Sequence, residues 1–569
     1  MNNEKDNNSQ RLSWLTSIYE AARLEFTDKA AELERNMRQY KGDDAIDGSH
    51  ERAGTVRNIT YEIIESEISP DVPVAKVDTA TYSETRERNA RTVERLCHAV
   101  RDRLPFEELC DIDERYTYIY GASVWYVEWD NSKKLDTGTG TVRVSCISPL
   151  NFIPQPGIAS VEDMDYCFLR FTTTKSELMR RYGVRSEELS LAECEYEYGT
   201  GEEELDTVSL TVAFWRDAAG RIGRSVFSGS LLIEDVPDYY GRKLPVCESC
   251  GRTAELCECD EPNIAPRATD GLETAVVDGR EITLPYYAPT SFPIVIRKNT
   301  SEEGSVLGQS DCTFIRPEQQ AINKLESRIL QKLLRAGVTP VMPEDASVTL
   351  TNSVFGQLIR MKPGESLAQY GTVDTTPSVE SDIAEADRLY EHAKNIIGIS
   401  DAYQGIDTSG ESGYAKQLRI SQATARLESK RRMKYYAYSR IYRLIFEHYL
   451  AFADEPRRLS YKDAYGRLHL SQFNRHDFIE KNTDGGYEYS DAYLFSVDLN
   501  SGGEYARETL WEKNLENLNS GTLGDKTEPT TLLRYWQSQE RAHYPFAREN
   551  VEYFTSIVEA GGVNERKEI

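Results

Sequence analysis

Residues 316–337 read RPEQQAINKLESRILQKLLRAG, and the fold turns on how that stretch is paired. Pro317 at a first-turn position and Gly337 at the far end predict the start and stop of one helix. Ile322, Leu325, Ile329, Leu333 and Ala336 step by three and four residues, so one face is apolar along its length. Lys324, Arg328, Lys332 and Arg335 form a second, basic stripe. The following residues, VTPVMPEDASVTLTNSVFGQLIRMKPGESLAQYGTVDT, are short β-like pieces broken by Pro340, Pro343, Gly356, Pro363 and Gly364, which predicts a small sub-domain. A second helix follows in PSVESDIAEADRLYEHAKNIIGIS, Pro377 to Ser400. Its apolar face is Ile383, Ala386, Tyr390, Ala393 and Ile397, and Glu380, Asp387 and Glu391 make an acidic stripe. Four basic and two acidic residues over 317–336 give +2, while two basic and five acidic over 378–397 give -3. The pattern predicts two antiparallel rods of opposite charge, with an ordinary helical hairpin of solvated faces as the alternative.

Outward from this pair, both flanks are mixed. Residues 11–41 carry apolar residues at helical spacing and end at Gly42, and helices are predicted around RNITYEIIESEIS, from Tyr82 to Arg103 and in ELCDIDERYTYIYG. Alternating β-branched and aromatic residues in SVWYVEWD, TVRVSCISP, CFLRFTT, TVSLTVAFW and SVFSGSLLIED predict strands, interrupted by a helix in KSELMRRYG. The class is therefore α+β, with helices and strands in blocks. On the C-terminal side, SDAYQGIDTSGESG, Ser400 to Gly413, reads as a loop before the longest helix, which stops before Pro456. That helix interleaves Arg426, Lys430, Arg431, Arg432, Lys434, Arg440 and Arg443 with Tyr435, Tyr436, Tyr438 and Tyr442. Such a face stacks single strands in some proteins, but packing among acidic neighbours demands the same residues. Strand-like alternation returns over 457–500, and 501–569 is again mostly helical.

The 569 residues suggest about four structural units at roughly 150 residues each. With 94 Asp and Glu against 67 Lys and Arg, the net charge is -27. Nucleic-acid binders gain affinity by replacing counterions with Lys and Arg, so this excess argues against tight, general DNA binding. The first residues lack the order of a signal peptide, and no run of eighteen apolar residues appears, so neither export nor a membrane span is expected. Four of ten cysteines lie in VCESCGRTAELCECDE, Val246 to Glu261. Cys247, Cys250, Cys257 and Cys259 form C-x-x-C and C-x-C pairs that suit a tetrahedral structural zinc with no open place for a catalytic water; a metal-free cysteine loop is the alternative. The other six cysteines are scattered, as free thiols in a reducing compartment are. There is no G-x-x-x-x-G-K-[ST], no G-x-S-x-G and no H-E-x-x-H, and the seven histidines lie far apart. No enzyme is expected.

The order helix, small β sub-domain, helix, Gly-rich loop, very long helix resembles the portal proteins of tailed bacteriophages. The likeness is carried by YGASVWYVEWD (Tyr120 to Asp130), SPLNFIPQPG with the following VEDMDYCF, LGQSDCTFIRPEQQAINKL (Leu307 to Leu325), GISDAYQGIDTSGESGYAKQL (Gly398 to Leu418) and the C-terminal LLRYWQSQERAHYPFARENVEYF. It covers most of the chain from about residue 10, through loose patterns of apolar and Gly positions. The cysteine-rich insertion departs from the family's common core.

The resemblance implies a multi-domain portal architecture. Residues 1–50 form an N-terminal tail and helix, and 51–307 an α+β wing carrying the Cys-rich insertion 241–262. The first stem helix is 308–336, the clip 337–376, the second stem helix 377–399 and the tunnel loop 400–413. Residues 414–500 are a long helix that returns to the wing, and 501–569 a helical crown. It further implies a ring, of twelve copies in the family, at a capsid vertex of the virion, assembled in the host bacterial cytoplasm. A terminase large subunit docks there to drive DNA inward, and capsid, scaffolding and neck proteins are the other partners. Glu380, Asp387, Glu391 and Lys394 then line the DNA channel, and Lys324, Arg328, Lys332 and Arg335 contact the neighbouring subunit. Asp401, Gln404, Gly405, Asp407, Ser409, Gly410, Ser412 and Gly413 form the tunnel loop. Two rival classes are a zinc-containing nucleic-acid-binding protein or enzyme and a virion scaffold or adaptor that closes no ring.

Overall fold

A computed structural model describes residues 2–43, 57–81, 83–135, 138–184, 192, 207–241, 246–247, 264–265, 272–277, 279–334, 338–341, 349–353, 356–360, 371–374, 377–399, 413–453, 455–462, 468–482, 485–497, 504–541, 544 and 547–565. The helices are α1 (Asn2–Lys41), α2 (Ile59–Glu67), α3 (Glu84–Arg103), α4 (Phe106–Tyr120), α5 (Lys175–Tyr182), α6 (Asp311–Leu334), α7 (Glu380–Ile397), α8 (Gly413–Phe452), α9 (Glu504–Asn519), α10 (Pro529–Arg541) and α11 (Ala547–Glu565). Strands fall between them in blocks, and the class is α+β.

The core is built where aromatic-rich strands meet α8. A three-stranded antiparallel sheet places Ala122–Leu135 between Ile294–Lys298 and Gly138–Ile147. Trp125 on its central strand is fully buried and packs edge-on to Tyr438 of α8 with ring centroids 5.3 Å apart. Its indole N–H donates to Asp113 of α4 at 2.8 Å, so the polar edge of a large apolar group is satisfied inside the core. Tyr438, Tyr442 and Phe446 of α8 point into the same core. The aromatics interleaved with base along this helix are thus mainly core residues, though Tyr436 is exposed.

A second, five-stranded antiparallel sheet orders Phe152–Pro154, Tyr166–Thr174, Thr207–Arg216, Ile222–Ser228 and Leu231–Val236. SVFSGSLLIED, a single run in the sequence, is two strands of this sheet joined at Gly229, whose φ is 53°. Helix α1 lies along the sheet: Leu15, Tyr19, Ala22 and Phe26 are buried, with Tyr19 edge-on to both Phe168 and Phe227. Near its start, the Arg11 guanidinium sits 4.2 Å from the Trp215 ring centroid, a cation–π contact. Strand Ala75–Thr79 pairs with Tyr493–Val497, so the chain beyond α8 returns to the N-terminal half. Among the described residues no helix is long and apolar enough to cross a membrane.

Two glycines fix how α6 leaves this body. Gly121 ends α4 in the left-handed region at φ 87°, and a Cβ there would stand 2.5 Å from the Gly308 carbonyl. A Cβ on Gly308 would stand 2.5 Å from the Thr300 carbonyl and 2.6 Å from that of Gly121. Two backbones cross here at a separation only glycine allows. Beside them, the buried Ser310 hydroxyl has one proton to give and two acceptors in reach, the Tyr118 carbonyl at 2.9 Å and the Ile119 carbonyl at 2.6 Å, and it accepts from the Cys312 amide at 3.0 Å. The YGAS and LGQSD segments are therefore one joint.

Candidate functional site: an antiparallel helix hairpin

Helices α6 and α7 pack side by side in opposite directions. Near one end Lys332 of α6 binds Asp382 of α7, and toward the other Glu318 of α6 lies 3.0 Å from Nδ1 of His392 of α7. Ascending numbers on one helix thus meet descending numbers on the other. At 1.5 Å per residue the 24 residues of α6 span about 36 Å and the 18 of α7 about 27 Å. Between them the chain forms two separate β-ladders, Val338–Val341 with Gly371–Asp374 and Thr349–Ser353 with Gly356–Arg360.

The third member of the site is α2, which no charge stripe pointed to. Ile59 and Ile63 fill the groove between the rods together with Ile315, Ile322, Tyr390, Ala393, Ile397 and Ile399. Buried Gln319 then locks α2 to α6: its Oε1 accepts from the Thr60 amide and hydroxyl, each at 3.0 Å, and its Nε2 donates to the Arg57 carbonyl at 2.8 Å. Gln39 of α1 extends the lock to the Thr60 hydroxyl and the Cys312 carbonyl. Tyr390 donates to Glu62, and Arg57 reaches Asp387 at 3.0 Å. Gln319, Gln39, Thr60, Tyr390 and Arg57 thus hold the hairpin against α1 and α2.

Several expectations need correction. The first helix starts at Asp311, capped by Ser310, so Pro317 is interior and not in the first turn; the cost is the missing amide opposite the Thr313 carbonyl. Leu333 and Ile383 are 50% and 45% exposed, because α2 covers only the part of the hairpin nearest the body. Lys394 does not line an open face. It is 3% exposed, with its ammonium 2.6 Å from Glu391 and 4.7 Å from the Tyr390 ring centroid. A lysine one helical turn from both groups folds its stem inward to reach them. Lys332 likewise faces its own chain: it binds Asp382 and donates to the Ser378 carbonyl at 3.4 Å. The Lys332 hydrogen bond holds the Asp382 carboxyl below its usual range, with Arg328 adding attraction at 3.8 Å.

What stays outward is a reduced version of the two stripes. Glu380, Asp387 and Glu391 are exposed on α7, and Lys324 and Arg328 on α6. Arg335 lies outside the described residues, as do Asp401, Gln404, Gly405, Asp407, Ser409, Gly410 and Ser412. Gly413 is the first residue of α8. Of the cysteine set, Cys247 lies on a two-residue strand paired in register with Ile264, so a ladder closes the base of the insertion; Cys250, Cys257 and Cys259 lie outside the described residues.

No family model matches this chain, and no curated protein matches it.

Proposed function

We propose that this chain is the portal subunit of a tailed bacteriophage: it assembles into a ring at one vertex of the capsid, and DNA enters and leaves through the hole. The observation that carries this reading is the antiparallel pair α6 and α7, separated in sequence by small β-ladders and followed, after residues 400–412, by the 40-residue helix α8. In that reading the hairpin is the stem and 337–376 the clip. The body built on the two sheets is the wing, and α9, α10 and α11 belong to the crown.

Physical reasons support the assignment. Closing a ring requires two different, complementary surfaces on each subunit. The face of α6 that exposes Lys324 and Arg328 on one copy and the flank of the acidic helix α7 on the next supply such a pair, whereas Lys332, and Arg328 more weakly, already attract Asp382 of their own chain. A conduit works best if it does not hold its cargo. DNA carries one phosphate charge per about 1.7 Å of axis, so basic walls add friction at every step, and Glu380 and Glu391 keep the duplex centred by repulsion. Residues 400–412, ahead of α8, are then the tunnel loop reaching toward the duplex. The chain itself catalyses nothing in this scheme; a terminase ATPase docks on the ring, with capsid, scaffolding and neck proteins as further partners.

The four cysteines hold a structural zinc in the same proposal. Four thiolates saturate a tetrahedral ion, and the Cys247–Ile264 pairing brings the two ends of the insertion together for it. Zinc supplies no chemistry there beyond fastening the loop. Electron microscopy of the purified full-length chain tests the central reading: ring-shaped particles with an axial hole support it. Monomers or open filaments at assembly concentrations count against it.

A further inference from the structure

Helix α8 is fastened to the base of the hairpin by a cluster of buried charges. Lys430 donates to Glu67, the last residue of α2, and to Asp311, the first residue of α6, at 2.7 Å each. One turn on, Lys434 lies 3.1 Å from Glu114 and donates to the Ser69 carbonyl at 3.0 Å. Arg297 bridges Asp113 at 2.5 Å and Glu114 at 2.6 Å. The other oxygen of Glu114 accepts from the Ser69 amide, and Asp113 accepts from Ser123 and Trp125. The Tyr118 ring lies beside both Lys430 and Arg297. Four buried carboxylates, Glu67, Asp113, Glu114 and Asp311, thus face three cations, Arg297, Lys430 and Lys434.

The surplus carboxylate can be located. Asp113 and Glu114 have several donors each, and Asp311 sits at a helix N-terminus where negative charge is favoured. Oε1 of Glu67 has no hydrogen-bond partner, although the residue is 3% exposed. Glu67 borders a cavity of about 30 Å³, room for one water, whose wall also includes Asp71, Arg431 and Tyr435. Asp71 is exposed, so the cavity offers a path to solvent.

We propose that Glu67 holds a proton in the folded chain, and that this proton, exchanged through the cavity, governs how tightly α8 is clasped to the first residue of α6. With Glu67 neutral, the cluster is balanced and Lys430 pairs with Asp311. With Glu67 ionised, two carboxylates share one ammonium in a place with little solvent. Burial, and then the charge of Asp311, push the Glu67 carboxyl up to about 8 against the pull of Lys430. Glu114 goes the other way: burial opposes ionisation there too, but Arg297 and Lys434 outweigh it. Lys430 stays charged, because Asp311 and Glu67 outweigh the burial that disfavours its ammonium. The clasp joins the segment after residues 400–412 to the hairpin, and it operates whether or not the chain closes a ring.

The test is denaturant unfolding of the full chain at one protein concentration, from pH 5.5 to 8.5, for the wild type, Glu67→Gln and Asp311→Asn. The folded chain binds one proton more than the unfolded chain between the two carboxyl pKa values, so stability falls as pH rises. Relative to Glu67→Gln, the wild-type unfolding constant should grow by up to about tenfold per pH unit and level off above pH ~8. Asp311→Asn removes the like charge and should move the levelling to lower pH, which carries the test alone should Glu67→Gln fail to fold. Parallel wild-type and Glu67→Gln profiles, or an unmoved levelling in Asp311→Asn, overturn the proposal. So does hydrogen exchange at 427–434, corrected for intrinsic rate, that opens with pH equally in wild type and Glu67→Gln.

Discussion

Adding one methyl group at Gly308 probes the joint that aims the hairpin. The new Cβ would lie 2.5 Å from the Thr300 carbonyl and 2.6 Å from the Gly121 carbonyl, and both neighbours are backbone, so no side chain can swing aside. Separations that short force the strand end at residues 298–300 away from the entry of α6, an overpacking cost of about 1–3 kcal/mol. Gly121→Ala meets the same wall, 2.5 Å from the Gly308 carbonyl, and adds the strain of a side chain at φ 87°. Its cost should therefore be larger, about 2–5 kcal/mol in sum. Gly183→Ala is the control: φ is 66° there with nothing within 4 Å, so only the backbone strain of about 1–2 kcal/mol applies. Urea unfolding followed by tryptophan fluorescence measures all three. Gly308→Ala within about 0.5 kcal/mol of wild type would show that the two backbones are not in contact as described.

Three further outcomes follow from named groups. Buried His448, whose Nδ1 faces the Leu444 carbonyl at 2.7 Å, is pushed down to about 4 by burial. The unfolded chain alone takes its proton between pH 6.5 and 4, so acidification through that window should cost the wild type up to about 3 kcal/mol that His448→Phe keeps, measured as the difference in denaturant midpoints. The lowered Asp382 carboxyl implies stabilisation that is present above pH ~4 and lost below it. Lys332→Met should therefore destabilise the chain at pH 7 and much less at pH 3, read from the same transitions. Elemental analysis should find about one zinc per chain, and a strong chelator should open residues 241–262 to protease while the rest of the chain stays resistant. Metal far below that level, or no change in cleavage with chelator, would remove zinc from the proposal.

The helices and most strands were legible because each depends on a local signal. The apolar steps of α7 and the glycine that ends it, Gly398 at φ 94°, are both within one short window of sequence. That the two rods pack antiparallel was expected from their apolar faces and opposite charge, although the 45 residues between Leu334 and Glu380 hold β-ladders of their own. Which charged residues face solvent did not follow. Periodicity assigns every lysine of a stripe to water, yet Lys394 turns inward to Tyr390 and Lys332 crosses to a residue fifty positions away. The clasp around Lys430 is further still from any window, since Glu67 and Lys430 are 363 residues apart. Nothing local distinguishes Glu67 from the other carboxylates of an acidic chain; only burial does. Gly121 and Gly308 stand in the quoted segments YGASVWYVEWD and LGQSDCTFIRPEQQAINKL, but a close crossing of two backbones is a property of the assembled core.

The most direct measurement is cryo-electron microscopy of the purified full-length chain, averaged down the particle axis. A closed ring whose central hole admits a DNA duplex, with α6 and α7 of successive copies side by side and Glu380 and Glu391 toward the hole, is the expected result. Particles without a hole, or a ring in which those two carboxylates lie on the outer wall, would contradict it.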